Sequence, residues 1–243
     1  EWVYESGQWQ MRSILPFTPS IAFGSNYNEG VTNTWNLSGM TVAIMGSHAA
    51  GKSTIGKRLS ALLGWKFHQE LGMILRNESE LVANGHMHGS GSGSSESSNK
   101  DEWDSLIYQE ECERDVASSS SKSCRVVETW HGGNASWCYL RRNDMKVKEF
   151  ETAFLPKYVD AISKHAKSSC VIIIFLKVGS SDVILDRRKQ DATAVERLPL
   201  EDEVNGVSDL FDLNDTYICE SIAQSTKVPL LIVDNSENGE DAI

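Results

Sequence analysis

The sequence predicts an α/β fold of three layers around a five-stranded parallel sheet. Two observations carry this. Five short apolar runs alternate with stretches of helical spacing, the pattern of parallel strands joined by helical crossovers. The first run, TVAIM (Thr41–Met45), leads straight into GSHAAGKST, which matches G-x-x-x-x-G-K-[ST] at Gly46, Gly51, Lys52 and Ser53. Strand, glycine-rich turn and helix start together make a phosphate cradle, with backbone N–H groups and the positive end of a helix dipole turned to the anion. The expected nucleotide-binding residues are Gly46, Ser47, His48, Ala49, Ala50, Gly51, Lys52, Ser53 and Thr54. Lys52 is expected to reach the β/γ-phosphates and the Ser53 hydroxyl to bind Mg²⁺. The fold is thus expected to be that of a P-loop NTPase, with a nucleoside triphosphate and Mg²⁺ as its ligands.

The elements follow in order. KSTIGKRLSALLG (Lys52–Gly64) spaces Ile55, Leu59, Leu62 and Leu63 as a helix does. WKFH (Trp65–His68) reads as a second strand, and QELGMILRN as a helix through Leu71, Ile74 and Leu75. Gly85 to Lys100 is a Gly/Ser-rich flexible loop. Its His86 and His88 lack a third ligand and read as solvated rather than metal-binding. DEWDSLIYQEECERD (Asp101–Asp115) is a helix, and the serine run 118–123 a loop. CRVVETW (Cys124–Trp130) is the third strand. Helical stretches follow over Asn134–Arg142 and Met145–His165, the second interrupted at Pro156. CVIIIFLKV (Cys170–Val178) is an unbroken β-branched and aromatic run, suited to a central strand covered on both faces. A helix capped by Ser180 or Ser181, a charged segment over 186–203, a long helix LFDLNDTYICESIAQ and the strand VPLLIVD (Val228–Asp234) complete the domain.

The domain is expected to span 40–235. Residues 1–39 read as a partly disordered extension and 236–243 as an acidic tail. The chain has 243 residues, a net charge of −11 and 40% hydrophobic residues. An acidic surface attracts neither a nucleic-acid polymer nor an anionic membrane, and no apolar run reaches the ~20 residues of a bilayer span. Five widely spaced cysteines without C-x-x-C suggest reduced thiols in an intracellular, cytoplasmic protein. The N-terminus lacks the basic and apolar segments of a signal peptide, and it begins without Met, as a fragment or processed product does.

In such a fold the chemistry sits at the carboxyl ends of the strands. Neither D-x-x-G nor N-K-x-D occurs, which argues against a Ras-like GTPase, and the L-S-G-G-Q signature of transporters is absent. Three stretches favour a small-molecule kinase. Glu70, just past the second strand, can accept the proton of a substrate hydroxyl; a helix N-terminal carboxylate favoured by the dipole is the plainer alternative. Glu128 closes an apolar strand beside the phosphate loop, where it can hold Mg²⁺ with Ser53. Trp130 and His131 after it suit either a substrate pocket wall or ordinary packing. Arg187, Arg188 and Arg197 suit a lid over the transferring phosphoryl group, or a solvated charged helix end.

The phosphate loop, Glu70, Glu128 and the arginine-rich segment resemble the P-loop nucleoside and nucleotide kinases, including thymidylate and deoxynucleoside kinases. ELGMILR and EWDSLIYQEECERD are similar to segments of the subgroup with a nicotinamide-riboside-kinase-like AAA domain. The resemblance covers roughly residues 40–235, and only the phosphate loop is highly specific. It implies ATP-dependent phosphoryl transfer to a nucleoside or nucleoside monophosphate, with Lys52, Glu70, Arg187, Arg188 and Arg197 catalytic. It implies Ser53 and Glu128 at the metal, and Arg76, Gln109, Arg114, Trp130 and His131 at the substrate. One departure stands out. Thymidylate and deoxynucleoside kinases carry an acidic residue followed by Arg at the end of the third strand, and here Thr129 follows Glu128. A nucleotide-dependent regulatory module with little turnover is the alternative.

Overall fold

The computed structural model describes residues 2–5, 8–11, 39–47, 49–78, 96–142, 145–190 and 207–236. The chain divides into two units, Glu1–Asn36 and Leu37–Ile243. In the first, β1 (Trp2–Glu5) and β2 (Gln8–Met11) pair antiparallel, with Trp2 opposite Met11 and Glu5 opposite Gln8. The sequence reading placed no element here.

The second unit opens with β3 (Thr41–Gly46), α1 (Lys52–Leu63), β4 (Lys66–His68), α2 (Leu71–Glu78) and α3 (Glu96–Ser121). It continues with β5 (Arg125–Glu128), α4 (Trp130–Leu140), α5 (Val147–Ala153), α6 (Leu155–Ser168) and β6 (Val171–Lys177). It closes with α7 (Ser181–Gln190), α8 (Val207–Thr226) and β7 (Leu230–Asp234). The five strands lie in the order β4-β5-β3-β6-β7, all parallel. This is the expected three-layer α/β fold.

The layers follow from the period of two along each strand. Ala43 and Met45 of β3 face a core built from Trp130, Phe150, Tyr158, Ile162, Ile218 and Ile222, on helices α4, α5, α6 and α8. Val42 and Ile44 face the opposite core, with Ile55 and Leu59 of α1 and Ile184 of α7 packed there. Ile173, Phe175 and Leu176 of β6 are fully buried, each stabilising the sheet by about 1.5–3 kcal/mol. A third, smaller cluster joins Leu71 of α2 to Trp103 and Ile107 of α3.

Several boundaries differ from the sequence reading. The Gly/Ser segment over 85–100 lies outside the described residues as far as residue 95; α3 already begins at Glu96. The same helix runs on to Ser121, through most of the serine run expected to be a loop. There the hydroxyls bind locally instead of unwinding the helix. Ser118 Oγ donates to Ser123 O at 3.2 Å, Ser121 Oγ donates to Ser118 O at 3.1 Å, and Ser119 Oγ lies 3.2 Å from His165 Nδ1. Helix α4 starts at Trp130 rather than Asn134, and the expected break at Pro156 is real, with Pro156 in the first turn of α6. In α1, Leu62 and Leu63 are exposed, so the apolar face ends at Leu59.

Candidate functional site

β3 ends at Gly46, level with Leu176 of β6. Gly46 has φ 141°, and a Cβ there would lie 2.4 Å from Leu176 O. Only glycine lets the chain leave the sheet this close to its neighbour. The loop returns through Ala49 at φ 57° and Gly51 at φ 89°, and α1 starts on Lys52 with no side-chain cap on its first turn. Its leading N–H groups therefore open at the carboxyl edge of the sheet, where an anion completes them. Lys52 is buried, and its ammonium donates to Gly46 O at 2.9 Å and Ser47 O at 2.8 Å. Behind the loop, Asn235 Nδ2 donates to Ala50 O at 2.8 Å. His48 lies outside the described residues.

Strand register brings the carboxylates to this loop. Glu128 is level with Ile44, two residues short of Gly46. His68 is level with Val127, so the chain leaving β4 passes the end of β5. Ser53 Oγ donates to Glu128 Oε1 at 2.6 Å. The Glu70 amide approaches Glu128 Oε2 at 3.5 Å, and Thr129 Oγ1 donates to Glu70 Oε2 at 2.9 Å. Glu70 also starts α2, its carbonyl accepting from Met73 N and Ile74 N. One continuous chain of polar contacts thus runs from Ser53 through Glu128 to Glu70 and Thr129.

The turn between β5 and α4 is strained. Thr129 has φ 71° and ψ −55°, and Trp130 has φ 47°. A β-branched residue at positive φ is an outlier, and each such residue costs roughly 1–3 kcal/mol. The sequence reading assigned Thr129 no role.

The remaining candidates are placed as follows. Trp130 and His131 lie in the interior, not on an open wall. Trp130 Nε1 donates to Asp115 Oδ1 at 3.0 Å, and His131 Nε2 lies 2.9 Å from Asp115 Oδ2. They turn inward because α4 begins a turn earlier than expected. Gln109 is exposed and donates to Glu113 Oε1 at 3.3 Å, along its own helix. Arg114 Nη1 donates to Gln69 O at 3.4 Å, beside Glu70. Arg187 Nη2 donates to Asn235 O at 2.6 Å, which ties α7 to the residue behind the phosphate loop. Arg197 and the side chains of Arg76 and Arg188 lie outside the described residues.

A buried polar network lies under the site. Arg125 Nη2 pairs with Asp115, and Arg125 Nε donates to Thr41 Oγ1 at 3.1 Å. His165 Nε2 lies 2.9 Å from the same Thr41 hydroxyl. Burial alone raises the Asp115 carboxyl, but the His131 hydrogen bond and the His131, His165 and Arg125 charges bring it down to about 2. Glu111, one turn before it, is buried with neither oxygen hydrogen-bonded among the described residues, and burial pushes its carboxyl up. The sequence signal for this network is Arg125 itself: a guanidinium opening a doubly covered strand requires a buried carboxylate.

Two histidines are expected to make the domain acid-sensitive. Burial, then the Arg125 charge, lower His165 to about 4 against the raising effect of Asp115; burial, Arg125, Lys66 and Arg114 lower His68 to about 4. Unfolded histidine titrates near ~6.5, so between these values the unfolded chain binds more protons. Stability is full above about pH 6.5 and falls as pH drops toward 4. Thermal unfolding at pH 7 and pH 4.5 should show a lower midpoint in acid, by ~2–4 °C for each kcal/mol lost. In His68→Gln and His165→Gln variants that drop should shrink; an unchanged drop would assign it to other groups.

Among the described residues, no helix is long and apolar enough to cross a membrane, and no cluster of three or more His, Cys, Asp or Glu is placed to hold a metal. The five cysteines are free thiols. No family model and no curated protein matches the chain. Solved structures do. Deoxyadenosine kinase from M. mycoides with bound dATP aligns with a TM-score of 0.50 at 15% identity, over 83% of this chain and 94% of that one. The NadR protein in complex with NR aligns with a TM-score of 0.51 at 13% identity, over 84% of this chain and 47% of that one, so the chain spans about half its length. At these identities the likeness is one of fold alone: the chain shares the α/β fold of these two proteins.

Proposed function

We propose that the protein transfers the γ-phosphoryl group of ATP to a nucleoside or nucleoside monophosphate. The observation that carries this is the contact chain Ser53–Glu128–Glu70: the Ser53 hydroxyl donates to the Glu128 carboxylate, which also faces the Glu70 backbone amide where the chain leaves β4. A deoxyadenosine kinase with dATP and a protein in complex with NR share the fold, which favours a nucleoside-bearing acceptor.

The donor set suits Mg²⁺. A hydroxyl and a carboxylate oxygen in contact suit an ion that is held by one or two protein oxygens and takes its other ligands from phosphate and water. Mg²⁺, when bound, neutralises charge on the transferring phosphoryl group. The α1 N-terminus and Lys52 hold the phosphates by dipole and charge. For a hydroxyl acceptor, Glu70 takes the proton as the acceptor oxygen bonds to the γ-phosphorus; the bond to the bridging oxygen breaks and ADP leaves with the electron pair. On α7, Arg187 donates to Asn235 O, and Asn235 in turn donates to Ala50 O of the phosphate loop, which favours a role for this guanidinium at the phosphates.

ADP release with a panel of nucleosides and nucleoside monophosphates tests this reading. Acceptor-dependent release above the ATPase background is expected. Tight ATP binding without such release for any acceptor would make the protein a nucleotide-dependent regulatory module.

Glu128→Gln separates metal binding from nucleotide binding. Gln keeps an oxygen for the Ser53 hydroxyl but loses the charge. The Mg²⁺ concentration for half-maximal turnover should rise roughly tenfold or more, with ATP affinity measured without metal little changed. Superimposable Mg²⁺ titrations would take Glu128 out of the metal shell.

A further inference from the structure

Thr129 stands where the resembled kinases carry Arg, and it is fixed from every side. Its amide donates to Ile44 O at 2.8 Å, and its carbonyl accepts from Gly133 N at 2.9 Å. Its methyl group fills the space of a Gly133 side chain: a Cβ on Gly133 would lie 2.6 Å from Thr129 Cγ2. Backbone and rotamer are both set, at a positive φ that a β-branched residue rarely adopts. In this conformation Thr129 Oγ1 donates to Glu70 Oε2 at 2.9 Å. The other Glu70 oxygen lies toward Gly72, whose added Cβ would sit 3.6 Å from it.

We propose that Thr129 is the positioning residue for Glu70: its strained backbone fixes the hydroxyl as a donor to one carboxylate oxygen, so that the other is presented to the acceptor hydroxyl. The inference rests on the kinase reading above. A hydroxyl does this without charge. Strain held in a turn that touches a reacting group is pre-organisation, maintained because the neighbouring contacts over-determine it.

The test uses the full chain with ATP, Mg²⁺ and an acceptor found by ADP release. Glu70→Gln is the reference. Thr129→Val keeps size and branching but removes the donor, and Thr129→Ser keeps the donor. Thr129→Val should lower kcat about 10–100-fold, the range for a lost hydrogen bond to a charged group, and leave KM for ATP within about threefold. Thr129→Ser should retain most of the turnover. In a Glu70→Gln background Thr129→Val should add almost nothing, because both act through one carboxylate. Wild-type kcat in Thr129→Val beside a damaged Glu70→Gln overturns the proposal and leaves the kinase reading standing. Wild-type kcat in Glu70→Gln overturns the role of Glu70 itself, and the proposal with it. A readout without turnover comes from thermal unfolding of Thr129→Val, Glu70→Ala and the double variant. Non-additive midpoints support the contact, and additive ones overturn it. If Thr129→Val does not fold, Thr129→Ala removes the same hydroxyl without the branch.

Discussion

Lys52→Ala should abolish turnover while the protein stays folded. The ammonium is buried in the loop and donates to Gly46 O and Ser47 O. In the proposed reaction it brings a full positive charge to the transferring phosphates. Loss of a single pre-organised donor at a developing charge costs about 10²–10³ in rate. A buried full charge should stand at or above the top of that range. The fold should survive, because β3 and α1 are held by Val42, Ile44, Ile55 and Leu59 in a core that does not include Lys52. Circular dichroism and the thermal midpoint report the fold, and ADP release reports the activity. A folded Lys52→Ala protein with wild-type activity would detach the phosphate loop from the function.

The parts of this molecule that read clearly from the sequence are those whose cause is local. The apolar runs at Thr41–Met45 and Cys170–Val178 can only be buried strands, and the loop glycines are fixed by φ and by the closeness of Leu176. The place of Glu128 beside Ser53 follows from strand register once the sheet order is known. What stayed hidden depends on partners distant in sequence. Asp115 reads as one more charge on a charged helix until Arg125 and His131 close around it. Trp130 and His131 suit a pocket wall or ordinary packing in the sequence, and burial places them in the interior because the start of α4 is set by the turn at Thr129, which has no propensity signature. The serines at the end of α3 read as a loop because their hydroxyls compete with the backbone in isolation; in the fold they find Ser118 O, Ser123 O and His165. Arg187 reads as a lid residue from its neighbours, but its contact with Asn235 O needs β7 in place.

Glu70→Gln should lower kcat on the order of 10²-fold or more, the scale of a lost general base, with ATP affinity nearly unchanged. Gln has the shape of Glu and keeps a carbonyl oxygen for the Thr129 hydroxyl, so the contact at Oε2 survives. The Glu70 amide and carbonyl, which meet Glu128 and start α2, belong to the backbone and are untouched. Only charge and basicity are removed. ATP affinity should hold because the contacts of Glu70 run to Thr129, Glu128 and its own helix, while Lys52 is held by Gly46 and Ser47. The variant also separates enzyme from regulatory module, since a module that only binds nucleotide has no use for a base at this position. Steady-state kinetics with ATP and the best acceptor, alongside a direct ATP-binding titration, give both numbers. An unchanged kcat would remove Glu70 from the proton transfer. A loss confined to ATP affinity would move it to the nucleotide side of the cleft and favour the regulatory reading.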